Sequence, residues 1–258
     1  MNFYDAIFVR KSVKNYYMEQ LDQSMLDHIL NFAAHITPIM SNTKFEYKII
    51  DNTKVENHLS GIFSVKAPYY FVISSESKDD DLLNAGYIME QIALYLTIKG
   101  LGSCFVSAKK PRKEEVLGLH YEHIVMLAFG KTKDNKFLNM KKLNRSSESN
   151  MCIYKEEVDN NMKLLIKAAL SVPSSYMNQT WKFVVYENRI HVFCNKDLSF
   201  AKGYEKGHEL KYFDTGIMLS HIVIAAEELW LDTSIKRLDN ISNKYFKNYE
   251  YIISVLIK

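Results

Sequence analysis

Pro173-Ser174-Ser175-Tyr176-Met177-Asn178-Gln179-Thr180-Trp181 is the stretch on which the reading of this chain turns. It follows an apolar helical pattern, Met162 to Leu170, and precedes a strand-like run, Phe183-Val184-Val185-Tyr186. The Pro-Ser-Ser break leaves backbone N–H groups without helical partners. Asn178 and Gln179 add amides that donate and accept together. Trp181 then closes the turn onto the core. Taken alone, the stretch is a polar connection with an aromatic anchor.

A second stretch near the N-terminus changes that reading. Val9-Arg10-Lys11-Ser12-Val13-Lys14-Asn15-Tyr16 follows a short helical pattern, Phe3 to Phe8. In an extended segment, residues two apart point to the same side. Arg10, Ser12 and Lys14 are therefore expected on one face, presenting a guanidinium fork, a hydroxyl and an ammonium. That trio suits a phosphate ester and a polar ring edge. It is equally what a solvated basic strand would carry. Lys11 points the other way and ranks below the three.

Together the two motifs resemble the nitroreductase family. Arg-Lys-Ser-x-Lys at Arg10–Lys14 resembles its phosphate-binding segment. Ala-Ala-x-x-x-Pro-Ser-Ser-x-x-Asn-Gln-x-Trp-x-Phe, from Ala168 to Phe183, resembles its loop along the flavin. In ordinary members both motifs lie near the N-terminus of one chain, and two chains form a dimer. Here they are about 160 residues apart. That spacing resembles the fused, double-length members, in which one chain folds as a pseudo-dimer. The resemblance implies an α+β, nitroreductase-like fold of two similar halves, each a small sheet flanked by helices. The first half is expected over 1–140, a linker over 141–150, and a degenerate second half over 151–258.

Composition bounds the alternatives. The 258 residues are 47% hydrophobic, and Tyr 17 with Phe 14 supply bulky core material, so a well-filled globular interior is within reach. A net charge of +3 with both signs mixed gives no electrostatic footprint for nucleic acid. The Lys-rich run Lys109 to Glu115 reads as a solvated loop and helix start. Cys104, Cys152 and Cys194 fit neither a zinc pattern nor a disulfide framework, and Cys104 is expected in the core. No signal-peptide pattern is read at the N-terminus. The longest apolar stretch, Ile217 to Ala226, is interrupted by Ser220 and His221 and is too short to span a bilayer. A soluble protein of the reducing cytoplasm is the expectation.

Along the chain, periodicity predicts a helix over 22–35 capped by Asp22, a strand over 45–50, a short helix over 54–63 and a buried strand over 67–74. Residues 82–99 predict a helix apolar on most sides, and hence central. It stops at Lys99-Gly100-Leu101-Gly102-Ser103, before a strand at Cys104-Phe105-Val106. Gly100 and Gly102 are expected to serve close helix–strand packing. Pro111 is expected to open a helix to Leu117, and Ile124–Gly130 to form a strand.

The second half repeats the first in degraded form. Ala33-Ala34 with Pro38 matches Ala168-Ala169 with Pro173, and Gly86-Tyr87-Ile88-Met89 matches Gly216-Ile217-Met218-Leu219. Leu101-Gly102-Ser103 matches Leu231-Asp232-Thr233. The first half keeps the Arg10–Lys14 motif but carries Pro38-Ile39-Met40 where the second carries Pro173-Ser174-Ser175. Arg145-Ser146-Ser147 is a poor counterpart of Arg10–Lys14. The surviving parts add up to one complete site between the halves.

The resemblance implies FMN, with NADH or NADPH as reductant and a small-molecule electron acceptor such as a nitroaromatic or quinone. Arg10 and Ser12 would hold the phosphate, Lys14 the ribityl chain or pyrimidine edge, and Lys141 or Lys142 a second phosphate charge. Pro173, Ser174, Ser175 and Asn178 would line the ring and ribityl chain. Ser107 and Ala108 would supply a backbone donor to the flavin. No catalytic side chain is expected, because the cofactor carries the chemistry. A flavin-binding or sensing protein without turnover is the alternative. His120-Tyr121-Glu122-His123 lacks further ligands for a metal site. The monomer, as a pseudo-dimer, should suffice for binding, whether or not chains associate further.

Overall fold

The computed structural model of the chain describes residues 1–40, 43–53, 59–60, 65–106, 110–111, 118–121, 123–133, 147–172, 181–196 and 210–258. The N-terminal helix α1, Phe3–Val9, is capped by Asn2, whose side chain accepts from the Asp5 N–H at 2.8 Å. It ends where Arg10 turns extended, at φ −62° and ψ 135°. Helix α2, Gln23–His35, follows as the apolar spacing predicts, burying Leu26, Ile29 and Ala33.

Four strands then build the first sheet. They are β1 (Phe45–Asp51), β3 (Tyr69–Ser75), β4 (Gly102–Val106) and β6 (His123–Gly130), in the order β1-β3-β6-β4 with every neighbour antiparallel. Strand β3 is buried at all seven positions, which explains its apolar run from Tyr69 to Ile73. One face packs into the main core. The other is covered by Val13 and Tyr16, which cluster with Val72, Val106, Met126 and Ala128. The covering segment is tied to the sheet by Val13 N–H donating to the Ser103 carbonyl at 2.9 Å and Tyr17 N–H donating to that of Lys131 at 2.9 Å.

Between β3 and β4 runs helix α3, Asp81–Ile98. Its partner is α6, Leu210–Glu228. The two cross backbone on backbone. A Cβ on Gly86 would stand 2.0 Å from the Phe213 carbonyl oxygen, and one on Gly216 would stand 2.0 Å from that of Leu83. The contact is reciprocal: each glycine abuts the residue three positions before the other. Glycine is required at both places by this close approach.

The second sheet has the order β10-β11-β9-β8-β7. Its members are β7 (Cys152–Tyr154), β8 (Trp181–Tyr186), β9 (Arg189–Asn195), β10 (Thr233–Lys236) and β11 (Tyr249–Ile257). Strand β7 runs parallel to β8, and the other pairs are antiparallel. Helix α5, Asn160–Leu170, is capped by Asp159, which accepts from the Met162 N–H at 2.8 Å. Trp181 is fully buried, as its anchoring role requires. The main apolar cluster joins both halves, from Ile7, Phe71 and Ile88 to Trp181, Ile217 and Val255.

Several sequence expectations need correction. Residues 59–60, expected in a helix, form a short strand β2 (Leu59–Ser60) paired with β5 (Lys110–Pro111). Pro111 itself lies in that strand, and residues 112–117, over which a helix is expected, lie outside the described residues. The linker expected over 141–150 contains the start of a helical turn α4, Glu148–Met151, whose Met151 is buried. The rest of these three stretches lies largely outside the described residues. Gly102 packs against the Val13 side chain, where a Cβ would come within 3.0 Å, rather than against a helix.

Candidate functional site

The site is built at the end of α1, where the chain must leave the helix and cross the first sheet. Arg10, Ser12 and Lys14 do not share one exposed face. Ser12 and Lys14 are exposed and Lys11 is partly so, whereas Arg10 is buried at 3% exposure. The cause is the cap. Arg10 still holds the end of α1, donating its N–H to the Ala6 carbonyl at 2.9 Å, and its side chain turns inward. Its guanidinium lies 5.1 Å over the Phe105 ring, and Phe105 meets Phe213 of α6 edge-on at 5.5 Å.

All three residues nonetheless act on the Cys104 thiol. Burial pushes the Cys104 thiol up, against the opposing pull of the Arg10 and Lys14 cations and a hydrogen bond with Ser12. Cys104, 6% exposed and expected in the core, thus marks where the cationic segment meets β4. All three cysteines are free thiols.

Arg10 carries unmet donors. Its Nε stands 3.5 Å from Oε1 of Glu90 on α3, an ion-pair distance beyond hydrogen-bond length. Among the described residues Nε, Nη1 and Nη2 have no hydrogen-bond partner, and neither does Oε2 of Glu90. A buried guanidinium in this condition is costly unless something accepts from it. An anionic group of phosphate geometry fits that need, since the fork offers parallel N–H groups. Ser12 and Lys14 add a hydroxyl and an ammonium at the surface above.

Ser107, Ala108, Lys141, Lys142, Pro173, Ser174, Ser175 and Asn178 lie outside the described residues. The second motif can be placed only by its flanks. Helix α5 runs to Leu170 on one side, and β8 starts at Trp181 on the other.

Sequence reasoning missed Glu90 and His221, which lie behind Arg10. Their signal was present: each is a polar residue in an otherwise apolar helical stretch. His120 is 2.6 Å from Glu46 through Nδ1, and the Glu46 carboxylate also accepts from the His120 N–H at 2.7 Å. Among the described residues no group of three or more His, Cys, Asp or Glu could hold a metal ion. No helix among them is long and apolar enough to cross a membrane. A groove of about 530 Å³ opens elsewhere, between Ala34, Ile36, Pro38, Tyr47 and Leu119, and includes neither Arg10, Ser12 nor Lys14.

The architecture is that of the nitroreductase-like α+β class. The family model described as "Putative TM nitroreductase" matches residues 2–226, and the chain belongs to that family of oxidoreductases. A crystal structure described as a "putative nitroreductase" from Thermotoga maritima is similar over 99% of this chain and 94% of its own, at a TM-score of 0.68 and 18% identity. That likeness shows the fold. A nitroreductase with bound FMN from Desulfitobacterium hafniense aligns with 57% of this chain and 100% of its own, at a TM-score of 0.43 and 14% identity. An FMN-dependent nitroreductase from Clostridium difficile aligns with 55% of this chain and 98% of its own, at a TM-score of 0.41 and 20% identity. No curated protein matches the chain.

Proposed function

We propose that the protein is an FMN-dependent NAD(P)H oxidoreductase acting on nitroaromatic, quinone or similar small acceptors. The observation that carries this reading is the buried Arg10 guanidinium with unmet donors, in a chain of the nitroreductase family. FMN, when bound, supplies the electron-transfer chemistry, and the chain supplies orientation and electrostatics. Arg10 and Ser12 hold the phosphate. Lys14 places a positive charge toward the ribityl chain or the pyrimidine edge. Lys11 has a lesser share, and Lys141 or Lys142 adds a second phosphate charge. Pro173, Ser174, Ser175 and Asn178 line the ring from the other half, and Ser107 and Ala108 offer the backbone donor.

We further propose that 1–140 and 151–258 are fused counterparts, so that one chain does the work of a dimer. The reciprocal packing of Gly86 and Gly216 supports this, as does a second correspondence at the ends of the same helices. After α3, Leu101 N–H returns to the Leu96 carbonyl around Gly100 at φ 75°. After α6, Leu231 N–H returns to the Ala226 carbonyl around Trp230 at φ 58°. Both pairs are separated by 130 positions, the offset of the two glycines.

The test is the colour of the purified or FMN-reconstituted chain. A yellow protein bleached by NADH or NADPH without oxygen, and re-coloured by a quinone or nitroaromatic, is expected. Bound FMN that neither nucleotide bleaches would indicate a flavin-binding protein without turnover. A colourless protein that takes up no FMN would overturn the reading. A cytoplasmic setting follows if the enzyme draws on the NAD(P)H pool, which fractionation would check.

A further inference from the structure

Behind Arg10 a line of buried polar contacts crosses the whole helical layer. Glu90 Oε1 lies 3.5 Å from Arg10 Nε and 3.0 Å from Nε2 of His221 on α6. His221 Nδ1 donates in turn to the Ala168 carbonyl, at 3.1 Å. That carbonyl belongs to the last turn of α5 and also accepts from the Ser171 N–H at 3.0 Å. Two residues later the chain reaches Pro173. The side chains of Arg10 and Glu90 are 1% and 0% exposed, and His221 is 0% exposed.

We propose that Glu90 and His221 are positioning residues that hold the Arg10 guanidinium in register with the C-terminal end of α5, from which the chain leads to Pro173. The inference rests on the reading of Arg10 as an FMN phosphate anchor. Its physical basis is the cost of the arrangement. Burying a carboxylate, an imidazole and a guanidinium yields little net stability, and apolar residues of the same volume commonly serve as well or better. The polar line does supply geometry. Glu90 forms an ion pair on the Nε side of the guanidinium, and Nη1 and Nη2 have no hydrogen-bond partner among the described residues. His221 fixes the carboxylate from the opposite side and closes the end of α5. The two motifs that resemble flavin contacts, about 160 residues apart in sequence, are thereby joined through three side chains.

The line exists once. Glu90 stands four residues after Gly86, and the residue four after Gly216 is Ser220, a buried hydroxyl without a hydrogen-bond partner. A carboxylate is thus present on one side of the helix crossing and replaced on the other.

The test is FMN titration, followed by quenching of flavin fluorescence, in single and double variants. Glu90→Ala and His221→Ala are expected to raise the FMN Kd about tenfold, the scale on which mutation of supporting residues acts at bound groups. Glu90→Gln keeps an oxygen and a hydrogen bond in place and should recover most of the loss. In an Arg10→Ala background, Glu90→Ala and His221→Ala should have no further effect, because they act through Arg10. Circular dichroism of the apo forms separates folding from binding; if an alanine variant is unfolded, the volume-keeping apolar variants Glu90→Met and His221→Leu carry the same cycle. The inference is overturned if the single variants bind FMN within twofold of wild type, or if their losses persist unchanged without Arg10. Failure of the wild-type chain to bind FMN would overturn the proposed function itself, which is a separate outcome.

Discussion

At the scale of single residues, Trp230 is the outlier. It is 95% exposed and sits at φ 58°, the left-handed position that ends α6. An L-residue in that conformation costs about 1–2 kcal/mol, and glycine occupies the same place after α3. Trp230→Gly should therefore stabilise the fold by about 1 kcal/mol, after the greater chain entropy of glycine is deducted. Calorimetry should find the melting temperature raised by about 2–4 °C. An unchanged or lowered value would mean that the indole contributes contacts that its exposure does not reveal.

His191 makes a second residue-scale prediction. It is 3% exposed, and its Nδ1 lies 2.7 Å from the Ser254 hydroxyl, itself 2.7 Å from the Tyr251 hydroxyl. The Tyr251 oxygen accepts from the Leu238 N–H at 2.9 Å, so the chain of hydroxyls can run donor to acceptor and end on an unprotonated Nδ1. Burial, and then the Arg189 cation, hold His191 below its usual range. The folded value is below the unfolded one, so between them the unfolded chain binds the extra proton. Stability is then lost as pH falls below about 6.5 and levels off beneath the folded value. Urea midpoints of wild type should drop between pH 7.5 and 5.5, and His191→Gln should flatten part of that drop. Parallel curves would rule out His191 as the source.

At the scale of elements, the crossing of α3 and α6 organises the molecule. A methyl group at position 216 would meet backbone rather than a flexible side chain, since the Leu83 carbonyl and the Tyr87 amide lie within 2.7 Å of its place. The helices must separate to admit it. Gly216→Ala should cost about 1–3 kcal/mol or more despite alanine's better helix propensity. Denaturant titration would measure it. A gain in stability would show that the helices do not approach as closely as this.

At the scale of the whole molecule, one apolar cluster serves both halves, and polar contacts cross between them as well. Arg237 Nη1 lies 2.8 Å from Asp80, and the Asn2 side chain donates to Glu228 at 3.1 Å. In a symmetric dimer every interface motif appears twice, whereas a fused chain lets each copy drift alone. On the proposed fusion the losses are divided between the halves: the first carries Pro38-Ile39-Met40 against Pro173-Ser174-Ser175, and the second carries Ser220 against Glu90. One FMN per chain is expected. Flavin absorbance against protein concentration, with mass from light scattering, would measure it. Two flavins per chain would contradict the proposal that a second site has been lost.

The sequence by itself determined the elements with a periodic apolar face, such as α2 and α5, and those with a continuous apolar run, such as α3, β3 and β6. Hydrophobic burial is the dominant local signal, so these were legible. It also carried the family resemblance, through two short polar motifs, Arg10–Lys14 and Pro173–Trp181. Strands β9 and β11 were not read. They lie on a sheet whose other face carries Tyr186, Tyr245, Phe246 and Tyr251, so aromatic residues occur on both sides and the alternation is blurred. Only the tertiary structure decided the direction of Arg10. Alternation along an extended segment places it beside Ser12 and Lys14. The helix end and the buried carboxylate of Glu90 draw it inward instead, because a charge entering the core takes the nearest opposite charge. Glu90 is 80 residues away in sequence, and although its place in an apolar helix marks it out, no local pattern could have named it as the partner of Arg10.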